Sequence, residues 1–90
     1  MTGMFTIDSH PALVLFNSGA SHSFMSMGFV ERHNIPLMAI PYAYKIRIVG
    51  SQMFINICTD TVSLVLATHT YCLQFMVMPE QGIDAILGMN

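Results

Sequence analysis

Ninety residues make one small domain with no room for a second. Apolar residues are 53% of the chain and charged residues 9%, with a net charge of −2 and three basic residues, which argues against a surface that tracks a phosphate backbone. The mean hydropathy of +0.58 is high for so short a chain. Yet no unbroken apolar run approaches the roughly 20 residues that span a bilayer, and no basic N-terminal segment leads into an apolar stretch. The expectation is therefore a domain that touches neither nucleic acid nor membrane. A partner chain is expected to cover apolar surface that so small a fold cannot bury.

Strand patterning dominates the chain. Met4 to Ile7 and Ala12 to Phe16 are short apolar runs separated by Asp8-Ser9-His10-Pro11, and they predict a hairpin. Ser21 or Ser23 is placed to cap a helix over residues 22–33, because Phe24, Met27, Val30 and the Met25/Phe29 pair recur at spacings of three and four. Asn34 ends that helix and Pro36 prevents its continuation. Beyond Pro41 the period falls to two: Tyr44, Ile46 and Ile48 alternate with Lys45 and Arg47. Gly50-Ser51-Gln52 breaks the run, and Met53 to Cys58 completes a second hairpin. Val62 to Ala67 and Tyr71 to Met78 predict a third, turning near Thr68-His69-Thr70. Pro79 to Gly82 reads as a loop, and Asp84 to Leu87 as a short buried strand ending at Gly88. Many short strands and one helix, without βαβ alternation, predict an all-β domain or small barrel.

The stretch with most chemical content is Ala12-Leu13-Val14-Leu15-Phe16-Asn17-Ser18-Gly19-Ala20-Ser21, answered near the C-terminus by Ile86-Leu87-Gly88. Three elements come in order: an apolar strand with a Ser-Gly-Ala turn, a glycine-tipped hairpin at about 46–57, and the Ile-Leu-Gly strand. Together they resemble a retropepsin-like aspartic protease, the retroviral type. Ser21-His22-Ser23-Phe24, His33-Asn34-Ile35-Pro36-Leu37 and Gly82-Ile83-Asp84-Ala85-Ile86-Leu87-Gly88-Met89 are similar to the gypsy-type LTR retrotransposon subset. The resemblance covers almost the whole chain.

The resemblance implies an all-β half-barrel with one short helix, acting as a homodimer on an extended peptide or polyprotein, without metal or cofactor. In that family two carboxylates, one from each subunit, share a proton and activate water. By resemblance Asn17 occupies the position of the catalytic Asp, and Ser18 and Gly19 support the turn. Ala20 and the hairpin tip (Val49, Gly50, Ser51 and Gln52) would contact substrate. Asn17 is the departure, because an amide cannot hold or share the proton. The expectation is an endopeptidase of retroelement polyproteins, intracellular, switched off as written. The alternative is a non-catalytic peptide-binding or dimerisation module derived from one. Engineering, natural decay, and an Asn17 that deamidates to Asp are the three accounts of the substitution. The family pattern also runs past Gly88 into a helix and strand, so truncation at the C-terminus is expected.

Other constellations are weaker. Gly19-Ala20-Ser21-His22-Ser23 lacks the second glycine of a nucleophile elbow. Cys58, His69 and Cys72 lack paired zinc-ligand spacing, and the two cysteines read as buried free thiols. The nine methionines are scattered and read as core filler at strand positions. His10, His22 and His33 read as turn or helix-surface residues, Asp8 and Asp60 as turn formers, and Asp84 as a loop or strand-start residue held by backbone amides.

Overall fold

A computed structural model describes residues 1–48, 51–79 and 82–89. Nine strands and one helix follow in chain order: β1 (Thr2–Ile7), β2 (His10–Asn17), β3 (Phe24–Ser26), α1 (Met27–His33), β4 (Leu37–Ile48), β5 (Ser51–Thr59), β6 (Val62–Leu66), β7 (His69–Leu73), β8 (Met76–Met78) and β9 (Ala85–Gly88). They form one open sheet in the order β4-β5-β8-β3-β9-β2-β1-β6-β7. The expected all-β architecture with one short helix is what the chain adopts.

The first hairpin closes more tightly than its turn-forming cluster suggested. Ile7 faces His10 in register, so only Asp8 and Ser9 form the turn, and both have positive φ (48° and 70°). Two positive-φ residues make the turn whose twist suits a two-residue hairpin. Asp8 also ties the turn to β6, its Oδ1 accepting from Ser63 N at 2.8 Å.

The helix is shorter than expected. Residues 22–26 are not helical; Phe24–Ser26 form β3, and α1 begins at Met27. The cap is Ser26, whose Oγ accepts from Phe29 N at 3.1 Å, rather than Ser21 or Ser23. A strand paired on both edges buries every side chain, and Phe24, Met25 and Ser26 are all buried between β8 and β9. Such a run has no alternation and cannot be told from a buried helix by period alone. Asn34 does end the helix, in the left-handed conformation, with its N–H donating to Val30 O.

The third hairpin also departs from expectation. It turns at Ala67-Thr68, and its second limb stops at Leu73. At Gln74-Phe75 the chain crosses to β5: Phe75 N donates to Thr59 Oγ1 at 3.0 Å and Thr59 N to Phe75 O at 2.8 Å. Phe75 and Thr59 are both fully buried, so those bonds satisfy polar groups that water cannot reach. Met76–Met78 then form β8, parallel to β3.

Two apolar clusters fill the interior. One gathers Ile7, Val14, Met25, Phe29, Leu64 and Phe75 with their neighbours beneath the helix and the first hairpin. The other, Phe24, Ile46, Ile55 and Met78 with Ile86 and Tyr44 packed against it, lies under the β4–β5 hairpin. Met25 and Met78 are core residues, but Met4, Met38 and Met89 are exposed, so the methionines are only partly filler. Cys58 is half-buried on β5 and Cys72 is exposed on β7, near opposite ends of the sheet; both are free thiols, and Cys72 is not the buried one expected. Among the described residues no helix is long and apolar enough to cross a membrane.

Candidate functional site

β2 and β9 run parallel, and their register sets Asn17 opposite Gly88. The chain leaves β2 in a turn that residue 17 itself builds. Asn17 Oδ1 accepts from Gly19 N at 2.9 Å, an Asx-type turn. Asn17 O accepts from Ala20 N at 3.2 Å and from Met89 N at 3.1 Å. Ser23 Oγ accepts from Gly88 N at 3.2 Å, bringing the far side of the turn onto β9. The packing leaves no space at residue 88: a Cβ there would stand 2.4 Å from His22 O and 2.8 Å from Ala20 O. Gly88 is thus required by close backbone approach.

A cavity of about 290 Å³ opens beside this turn. Asn17, Gly19, Ala20, Ser21 and His22 line one side; Lys45, Ile46 and Arg47 of β4 line the other; Phe24 and Ile86 complete the wall. Phe24, Ile46 and Ile86 belong to the second apolar cluster, so the core beneath the hairpin is also the wall of the cavity. β4 is the end strand of the sheet. A second cavity of about 380 Å³ shares His22 and runs beneath Tyr42 and Tyr44, where the β4–β5 register slips between Ala39 and Tyr44.

Of the residues singled out from sequence, Asn17, Gly19 and Ala20 line the first cavity, and Ser18 is exposed at the tip of the turn. Ser51 opens β5 opposite Ile48; Gln52 is exposed opposite Arg47 and does not line the cavity. Val49 and Gly50 lie outside the described residues. Ser21, His22, Phe24, Lys45, Ile46, Arg47 and Ile86 were not anticipated as site residues. The alternation at 44–48 held the signal for β4, since it marks one face as wet and the other as buried. Nothing local marks Phe24, which reaches the cavity only through the β3–β9 pairing.

The acids do not gather here. Among the described residues Asp8, Glu31, Asp60 and Asp84 all lie outside the cavity lining. Asp84 sits at the opposite end of β9 from Gly88, about 13 Å along the strand. It is occupied there: its Oδ2 accepts from Leu13 N and its Oδ1 pairs with Arg32 Nη2, each at 2.8 Å. Asp84 lies in the loop just before β9 rather than opening the strand, and the expected hold by a backbone amide is incomplete, since Arg32 shares it. Ser21 Oγ meets His22 Nδ1 at 3.2 Å on an exposed bend, so Ser21 is neither a helix cap nor part of a relay with an acid among the described residues. Among those residues no three of His, Cys, Asp and Glu come together as metal ligands, and Cys58, His69 and Cys72 stay apart.

The family model described as retroviral aspartyl protease matches residues 1–90. The chain belongs to that family. Among solved structures, EIAV protease complexed with the inhibitor HBY-793 superposes with a TM-score of 0.78 at 20% identity, covering 98% of this chain and 80% of that one. The retroviral protease-like domain of Ddi1 from Leishmania major superposes with a TM-score of 0.68, also at 20% identity, covering 98% and 70%. Among curated proteins no sequence matches. At such identity the superpositions speak for the fold, and the retroviral protease-like domain is the frame in which the turn and hairpin are placed.

Proposed function

We propose that this is an aspartic-protease domain with its peptide cleft retained and its water-activating group absent. The observation that carries the reading is residue 17. It stands at the end of β2, beside a cavity whose described lining holds no carboxylate, and it presents an amide. An amide accepts the Gly19 N–H bond as a carboxylate would, so the turn keeps its form, but it neither takes a proton from water nor shares one with a twin. In this reading Ser18 and Gly19 support the turn, and Ala20 with the hairpin tip contacts substrate. An extended peptide lies along the free edge of β4 and adds main-chain hydrogen bonds as a further strand would.

The functional unit is a homodimer in which two such turns face each other. A chain of 90 residues that is 53% apolar carries more apolar surface than so small a fold buries, which supports a partner. The lineage role is endopeptidase processing of a retrotransposon polyprotein inside the cell. The retained cavity beside a non-titrating residue also favours a second reading, a module that binds peptide without cutting it.

The test is a peptide-cleavage assay of the chain beside Asn17→Asp at mildly acidic pH. The Asp variant cleaves and the native chain does not, a difference of at least about 10²–10⁴ in rate from loss of general base catalysis. If both variants dimerise and neither cleaves, the binding-module reading replaces the first. Cleavage by freshly made native chain, with mass spectrometry showing residue 17 still an amide, overturns the proposal that Asn17 silences it.

A further inference from the structure

The chain has three basic residues, Arg32, Lys45 and Arg47, against five acids. Arg32 is taken by Asp84. Lys45 and Arg47 make no ion pair among the described residues, and both line the cavity beside Asn17. They are exposed and flank the buried Ile46, so they stand on one face of β4 at the rim, while Ile46 turns to the apolar wall. His22 lines the opposite side, and no described acid offsets them there. A protein of net charge −2 thus places, among its described residues, two cations without a counter-ion at the mouth of a single cleft.

We propose that this cleft selects peptides carrying acidic side chains, with Lys45 and Arg47 as the residues that select them. The inference rests on the peptide-binding reading above and adds its substrate class. Residues two apart on a strand lie about 6.6 Å apart, the same interval as alternate side chains of a peptide extended beside it. The matching ligand is therefore an acidic residue, any residue, and a second acidic residue, laid along β4. Rim charges act in water, so each contributes modestly; they raise the association rate more than they slow dissociation, and salt weakens them. Together they favour an acidic over a neutral peptide by about ten-fold at low ionic strength.

The experiment is a fluorescence-anisotropy titration of the native chain, which holds Asn17. The labelled peptides differ only at two alternate positions: Glu-x-Glu, Gln-x-Gln or Lys-x-Lys. Glu-x-Glu binds about ten-fold tighter than Gln-x-Gln, and added salt shrinks the gap. The Lys45→Gln/Arg47→Gln double variant abolishes the preference, and Lys45→Glu/Arg47→Glu turns it toward Lys-x-Lys. Exposed strand positions tolerate these changes without unfolding, which circular dichroism verifies. Equal binding of the Glu and Gln peptides overturns acidic selection and leaves peptide binding standing. Binding of none of the peptides by folded protein overturns both. A single-stranded RNA of matched charge that displaces Glu-x-Glu as well as unlabelled peptide does also overturns it, since the site then reads charge without a peptide.

Discussion

The turn that carries Asn17 and the β4–β5 hairpin that faces it are held by different means. The turn is fixed from several sides at once. Gly19 N, Ala20 N and Met89 N all donate to Asn17, Ser23 Oγ receives Gly88 N, and two carbonyls crowd the space above Gly88. The hairpin is held by its own ladder and the apolar cluster beneath it; its tie to the rest of the sheet is at the far end of β5, through Cys58 opposite Met76 and the two Thr59–Phe75 hydrogen bonds. Many independent constraints give one conformation; a ladder at the edge of a sheet opens at lower cost. The comparison teaches that position 17 is held by two backbone bonds and one side-chain oxygen, and that oxygen can belong to an amide or to a carboxylate.

The largest expected effect lies at Gly88. Gly88→Ala drives a Cβ into two backbone carbonyls that have no side-chain freedom to yield. The loss is about 3 kcal/mol, read as a fall in Tm of more than about 12 °C in thermal unfolding. An unchanged Tm would mean that the turn is as pliable as the hairpin.

Next comes Asp84, which fixes β2 midway along its length. Asp84→Ala leaves the Leu13 N–H without an acceptor and costs about 2 kcal/mol in urea denaturation. Arg32→Ala removes only the exposed partner and costs under about 1 kcal/mol. Equal losses would show that the ion pair, rather than the backbone tie, anchors the strand.

A smaller effect is expected where β2 begins. His10 stacks on His33 with ring centroids 4.0 Å apart. Burial, then the charges of His10 and Arg32, hold the His33 pKa below its ordinary 6.5, with Asp84 opposing. The folded chain therefore takes that proton less readily than the unfolded one. The His33 contribution is intact above about pH 6.5, declines as pH falls through 6.5 toward the folded pKa, and is level below it. Urea midpoints measured across that window should fall on acidification, and fall less in His33→Gln.

The smallest effect belongs to the hairpin. Phe54 is 70% exposed on β5, and Phe54→Gln should change stability by no more than about 0.5 kcal/mol. Hydrogen exchange completes the comparison: the amides of Gly19, Ala20, Gly88 and Met89 should be protected well beyond those of Lys45, Ile46 and Arg47 on the edge strand β4.

The first hairpin was legible from two apolar runs on either side of Asp8-Ser9, and the second from the alternation over 44–48, which reports a single buried face. The retroviral protease family was legible from Asn17-Ser18-Gly19-Ala20 with Ile86-Leu87-Gly88, since backbone crowding there tolerates few residues. The helix start was misplaced because Phe24-Met25-Ser26 is buried on every side, and a fully buried strand loses the alternation that distinguishes it from a helix.

The sequence by itself determined the strand-rich class, the turn at residue 17 and the absence of a carboxylate at that position, because these depend on residue identity and near neighbours. Only the tertiary structure decided that Met76–Met78 leave the third hairpin to run beside β3, that Asp84 ties β2 to the helix through Leu13 and Arg32, and that Lys45 and Arg47 share a cavity with Asn17. Those contacts join residues far apart in the chain. They exist because parallel pairing and the burial of a common core bring distant segments together, and no local pattern encodes which segments will meet.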